Sequence, residues 1–138
     1  MYRKERLIPF AEYCPVDFLF PLFRVIIGDT QYTSYAGNRP AAAGTLTMGM
    51  AICFESTFPD IMRDRARGAD ILAVFSDDIW LGEGAGPQQH LAAQVLRAAE
   101  NRRWVLCCVN SGISAVISPS GNIVAMLPFG REGVLHFP

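Results

Sequence analysis

Basic runs are missing from this chain, and so is any long apolar one. Lysine and arginine together number 12 against 13 acidic residues, a formal net charge of -1 and a pI of about 6.1. No cluster of cations of the kind that tracks phosphates occurs, so nucleic acid is not an expected partner. No uninterrupted hydrophobic stretch approaches the ~18 residues that cross a bilayer. The longest, residues 18–27, is broken by Pro21 and Arg24. The cysteines, at 14, 53, 107 and 108, form no CxxC and no metal-ligand spacing. Cys107 and Cys108, adjacent in a strand, point to opposite faces and are poor partners, so free thiols are expected. No metal and no cofactor is predicted. A secretory signal is also lacking, because Arg3, Lys4, Glu5 and Arg6 are followed by only a short apolar patch. There is no repeat, low-complexity tract or linker.

What is present is apolar bulk. Hydrophobic residues make up 51% of 138 positions and mean hydropathy is +0.21, rich for one free-standing domain of this size. Some faces of the chain are therefore expected to be covered by something outside it. Residues 14–28 read as a short helix or irregular apolar loop, and residues 29–44 as a loop by composition. Residues 71–75 form a fully apolar run that suits a strand buried on both faces. The glycine-rich loop 76–86 leads into a helix over about 87–103. Along it His90, Gln94, Arg97 and Asn101 make a polar stripe and Leu91, Val95, Ala98 and Ala99 an apolar one. Strands follow at 104–109, 113–118 and 122–127, the last two joined by a turn at Pro119-Ser120-Gly121, with a further strand at 134–137. The organisation is mixed α/β, with at least one parallel pair and a closing meander.

The chain is organised around residues 45–68. Leu46, Met48, Met50 and Ile52 alternate with Thr45, Thr47, Gly49, Ala51 and Cys53, the period of a strand. A helix follows, with Pro59 in its first turn, Asp60 behind it, Arg63, Arg65 and Arg67 towards its end, and Gly68 as the stop. Strand, helix and the run at 71–75 make a parallel crossover unit. Cys53 sits at the hinge, at the end of a strand and near the positive end of a helix, a location that favours the thiolate. The plain alternative for Cys53 is a small buried apolar residue. Lys4 is a candidate ammonium for a developing oxyanion. Glu12 and Glu55 are carboxylates able to hold that lysine or receive a proton. A Cys53–His90 dyad would suggest a thiol hydrolase, but no orienting Asn or Asp is identifiable, so His90 reads as structural. Asp77 and Asp78 read as loop-bracing rather than metal-binding, Trp80 as a lid or lipid-contact residue or as core. Arg63–Arg67 reads as a solvated face, and Cys14, Cys107 and Cys108 as packing residues.

The segments Tyr2-Arg3-Lys4-Glu5-Arg6-Leu7-Ile8-Pro9-Phe10-Ala11-Glu12-Tyr13 and Ile52-Cys53-Phe54-Glu55-Ser56-Thr57-Phe58-Pro59 resemble the lysine and cysteine motifs of the nitrilase superfamily, and within it the apolipoprotein N-acyltransferase family. SDDIWLGEGAGPQQH at 76–90, Arg97-Ala98-Ala99-Glu100 and Asn110-Ser111-Gly112-Ile113-Ser114 are similar to that family's next loop, helix and turn. The resemblance spans essentially the whole chain. It implies a nitrilase-like αββα sandwich, of which residues 1–138 supply the C-terminal half. It implies Cys53 as nucleophile and thioester carrier, Lys4 at the oxyanion, Glu12 positioning that lysine, and Glu55 as a further needed carboxylate. The backbone N–H of Phe54 would complete the oxyanion hole, with Trp80 and Asp78 in the substrate loop. It implies a phospholipid acyl donor, an apolipoprotein acceptor and a covalent ping-pong route. It also implies a bacterial inner-membrane setting in which the catalytic domain faces the periplasm.

The family's general-base glutamate lies well upstream of the lysine, and this chain starts three residues before Lys4. The expectation is therefore a missing N-terminal half of the domain, together with the family's membrane-spanning helices. Without that base, acyl transfer would lose roughly 10²–10⁴ in rate. Ala11, Phe54 and Asp77 replace the family's usual glycine, tyrosine and asparagine, mild changes that leave the chemistry intact. The alternatives are a soluble carbon–nitrogen hydrolase using water as second acceptor, and an inactive remnant.

Overall fold

The computed structural model describes residues 2–27 and 32–136. Six strands form one sheet in chain order: β1 (Ala41–Ala43), β2 (Leu46–Ile52), β3 (Ile71–Asp77), β4 (Trp104–Asn110), β5 (Ser114–Ile117) and β6 (Ile123–Leu127). β2, β3 and β4 run parallel, and the outer pairings are antiparallel. Among the described residues three α-helices accompany them: α1 (Phe20–Ile27), α2 (Pro59–Ala66) and α3 (Gly86–Asn101).

The parallel trio explains where the helices sit. The crossover from β2 to β3 carries α2 and that from β3 to β4 carries α3. Both step the same way across the sheet, and crossovers share one hand, so both helices land on one face. Register partners share a face, which places Gly49, Leu72, Val105 and Ile117 under the helices together with Ala51, Val74, Cys107 and Ala115. These residues, with Met62 of α2 and Leu91 and Ala98 of α3, are the buried core. The opposite face carries Met48, Met50, Ile52, Ile71, Phe75, Leu106 and Val116. It has no helical layer over it among the described residues, and Phe75 is 44% exposed.

Which face of β2 is covered differs from what bulk alone suggests. The larger side chains of its alternation lie on the open face, and Gly49 and Ala51 lie against the helix. The reason is proximity: a Cβ on Gly49 would stand 2.2 Å from the Arg65 carbonyl oxygen of α2. α2 starts at Pro59, as its sequence predicts, and stops before Gly68 at φ +71.

Several boundaries shift. Residues 41–43 of the expected loop pair with β2 across a Gly44 turn, while residues 29–31 lie outside the described ones. Residues 14–28 contain a 3-10 turn, Asp17–Leu19, before α1. The expected last strand is not formed at 134–136, which have no regular secondary structure, and Phe137 lies outside the described residues. The polar stripe of α3 is not a solvent face: His90, Gln94 and Arg97 are buried. They meet the turn after β2, where Arg97 Nη1 donates to the Thr57 carbonyl at 2.9 Å. Arg65 likewise departs from a solvated face and is buried.

Candidate active site

The strand β2 does not pass straight into α2. A 3-10 turn, Cys53–Thr57, stands between them, and Cys53 opens it at φ +53. A non-glycine residue in the left-handed region costs about 1–2 kcal/mol, so this elbow needs partners. Glu55 supplies one: its Oε2 accepts the Ile52 N–H at 2.7 Å. Ser56 supplies another, donating from Oγ to the Cys53 carbonyl at 2.9 Å.

Glu55 also explains how a lysine far away in sequence arrives here. Its carboxylate is fully buried and accepts from the Glu5 N–H, from the Arg6 N–H at 3.1 Å and from the Tyr2 hydroxyl at 3.2 Å. Arg65 holds the same segment from α2, donating from Nε to the Tyr2 oxygen at 2.9 Å and pairing with Glu5. Burial, and then Glu55, push the Tyr2 phenol up. Asn38 brackets Arg3 through its N–H and carbonyl at 3.2 and 2.7 Å. Glu55 is therefore a clamp on the backbone. It lines neither cavity beside Cys53, and of the two carboxylates able to hold Lys4 the one that does so is Glu12, a correction to that part of the reading of Glu55.

Lys4 itself donates to Glu12 Oε1 at 2.6 Å, the two side chains being 12% and 18% exposed. Glu12 is steadied in turn by the Ile8 N–H, donating to Oε2 at 2.8 Å. Lys4, Glu12 and Cys53 line one cavity of about 890 Å³. Its apolar wall is the open sheet face, with Phe75, Leu106 and Val116, and Val134 and Leu135 also line it. A second cavity, about 200 Å³, meets Cys53 from its other side, between Ile8, Phe54, Leu81 and His90. Trp80 borders both and is 68% exposed, so it is no core residue. Phe54 is also exposed, its ring edge-on to Phe58 at 5.4 Å between centroids.

Asp78 also borders the second cavity. It is buried, accepts from Ser76 Oγ, and faces His90 Nδ1 at 2.9 and 3.0 Å. The orienting carboxylate that His90 lacks in the sequence is thus Asp78, brought 12 positions along the chain by the bend after β3. On the ring's other side His90 Nε2 lies 3.0 Å from Ser56 Oγ. Sequence reasoning missed Ser56, and the only signal was its place three residues after Cys53. Among the other thiols, Cys107 is buried and its thiol is pushed up, first by that burial. Cys108, on the open face, is exposed rather than packed, and Cys14 is half-buried. Among the described residues no group of three or more His, Cys, Asp and Glu stands ready for a metal ion. No described helix is long and apolar enough to cross a membrane.

Comparison with known proteins adds three findings. The family model described as carbon-nitrogen hydrolase matches residues 1–136. Among curated relatives, the apolipoprotein N-acyltransferase of Geobacter metallireducens is 33% identical over 135 residues, 96% of this chain and 26% of that protein. That of Aquifex aeolicus is 32% identical, over 99% of this chain and 31% of its own length. The chain thus spans between a quarter and a third of these relatives. Among solved structures, Nit3 of Saccharomyces cerevisiae, a nitrilase-superfamily member, is 27% identical over 62% of this chain and 35% of its own, with a TM-score of 0.53. A carbon-nitrogen hydrolase from Helicobacter pylori is 18% identical over 74% of this chain and 43% of its own, with a TM-score of 0.65. The fold matched is that of a nitrilase-like sandwich, of which this chain carries one αβ layer.

Proposed function

The chain belongs to the carbon–nitrogen hydrolase family, and from that premise we propose that it is the nucleophile-bearing part of an apolipoprotein N-acyltransferase. Cys53 attacks the ester carbonyl of a phospholipid. The Lys4 ammonium and the Phe54 N–H receive the oxyanion, and collapse of the tetrahedral intermediate expels the lysophospholipid alkoxide, which takes up a proton. The resulting Cys53 thioester is attacked by the α-amine of a diacylglyceryl-cysteine. The C–S bond breaks, an amide forms, the amine's proton is lost to a base and the thiolate returns.

The observation that carries this reading is that Lys4, Glu12 and Cys53 border one cavity, which brings a sulfur nucleophile and a held ammonium to the same space, as stabilising an oxyanion there requires. Trp80, with Ile79 and Leu81 exposed beside it, suits contact with the donor lipid. In this reading the open sheet face is covered by the remainder of the catalytic domain, which also supplies the general base. The setting is the bacterial inner membrane, with the domain on the periplasmic side.

The test is trapping of a radiolabelled acyl-thioester in the complete protein, with hydroxylamine release as the criterion. Label is expected on Cys53 and is expected to pass to a diacylglyceryl-cysteine peptide. Label surviving Cys53→Ser refutes the assignment. Release to water alone, without transfer to the amine, replaces the acyltransferase with an amidase of the same family.

A further inference from the structure

Ser56, His90 and Asp78 form a buried row that ends on the nucleophile's own peptide bond. They are respectively 0%, 6% and 3% exposed. Ser56 Oγ–H donates to the Cys53 carbonyl at 2.9 Å. His90 Nε2 lies 3.0 Å from the same hydroxyl oxygen, with Gln94 Nε2 3.3 Å from that ring nitrogen. His90 Nδ1 faces both oxygens of Asp78. Asp78 is fixed by Ser76 and by its own N–H, which donates to the Asn110 carbonyl at 2.9 Å.

The Cys53 carbonyl and the Phe54 N–H belong to one planar peptide unit, and in a trans peptide they point in opposite directions. All described peptide bonds are trans. Holding the carbonyl towards the buried row therefore turns the Phe54 N–H away from it. That N–H lies in the first turn of the 3-10 segment, where backbone donors have no acceptor within the helix. A hydrogen bond on the carbonyl also polarises the amide and strengthens its N–H as a donor.

We infer that the Asp78–His90–Ser56 row is a positioning device that aims the Phe54 N–H at the oxyanion formed when Cys53 attacks a carbonyl. This rests on the reading of Cys53 as nucleophile. None of the three is a catalytic residue, since each acts through the Cys53–Phe54 peptide. The row resembles a hydrolytic triad in composition, but Ser56 is wholly buried and its proton is committed to a carbonyl.

The test compares two reactions of Cys53 in the complete protein. A linear aliphatic aldehyde adds the Cys53 sulfur to its carbonyl carbon, and the thiol proton ends on the carbonyl oxygen. The resulting hemithioacetal places that oxygen where the oxyanion forms. Iodoacetamide alkylates the same sulfur by displacing iodide, and no oxyanion arises. In Ser56→Ala and in His90→Gln, aldehyde affinity is expected to fall about 10-fold or more, the scale of a misaimed group. Alkylation is expected to stay within about threefold, because it draws nothing from an oxyanion hole. The double variant is expected to be no worse than Ser56→Ala alone. Unchanged aldehyde affinity in Ser56→Ala overturns the proposal, as does an equal slowing of both reactions, which marks a merely structural row. A wild-type protein that is alkylated at Cys53 but forms no aldehyde adduct there overturns the nucleophile reading itself, and the proposal with it.

Discussion

Replacing Glu55 by glutamine keeps the size of the side chain and removes the reason Lys4 stays near Cys53. The carboxylate accepts from four donors: the N–H groups of Ile52, Glu5 and Arg6, and the Tyr2 hydroxyl. Glutamine keeps one accepting oxygen and turns an NH₂ group towards the donors left on the other. Two pairs are lost, and the survivors lose their charge assistance. Hydrogen bonds to a charged group contribute about 1.5–3 kcal/mol each, so losing two costs roughly 3–6 kcal/mol. A share near 3 kcal/mol falling on the attachment of residues 2–6 raises its open population about 100-fold. Arg3, Lys4 and Arg6 make that segment a trypsin substrate whenever it lifts. Brief trypsin treatment under native conditions, read by mass spectrometry, is expected to cut the Glu55→Gln protein there about 100 times faster than wild type. Tyr2→Phe, which loses only the 3.2 Å contact to Glu55 and the one to Arg65, is expected to change the rate by about tenfold or less. A Glu55→Gln protein cut at the wild-type rate, with an unshifted melting temperature, would show that the clamp does not hold the lysine segment.

Gly49→Ala is expected to lower stability by about 1–3 kcal/mol, because its Cβ meets the Arg65 carbonyl at 2.2 Å and α2 must move. A melting temperature within about 1 °C of wild type would contradict the close approach, since that cost corresponds to several degrees. In the native protein, iodoacetamide is expected to label Cys53 well before Cys107, whose thiol is buried and pushed up. Labelling of Cys107 at the rate of Cys53 would contradict the assigned faces of β4.

Much of this architecture is legible in the chain. Period-two spacing located β2, and Pro59 and Gly68 bounded α2, because backbone geometry enforces those signals locally. The two motifs carry Lys4, Glu12 and Cys53, and the three line one cavity. Three features were not legible, for a common reason. Arg65 and the polar stripe of α3 look like surface residues, since charged side chains seldom go inside without partners, and Glu55 looks like a partner for Lys4 rather than a clamp on backbone. Their partners, Glu5, the Thr57 carbonyl and the N–H groups of residues 5 and 6, are distant in sequence or belong to the backbone, which composition does not display. The choice of buried face on β2 was hidden likewise. Bulk points to the methionines, and only the closeness of α2 reveals that glycine and alanine face it.

Phe75, Leu106 and Val116 belong at once to the cavity wall beside Cys53 and to the side of the sheet that no helix covers. Ligand capacity and the adhesiveness of that side are therefore set by the same side chains. Trimming Leu106 to make room for a bulkier guest also shaves whatever would be glued to the sheet there, and greasing the sheet for firmer attachment narrows the room. Selection on one trait drags the other along, so engineered changes in guest size should be screened for assembly in the same experiment.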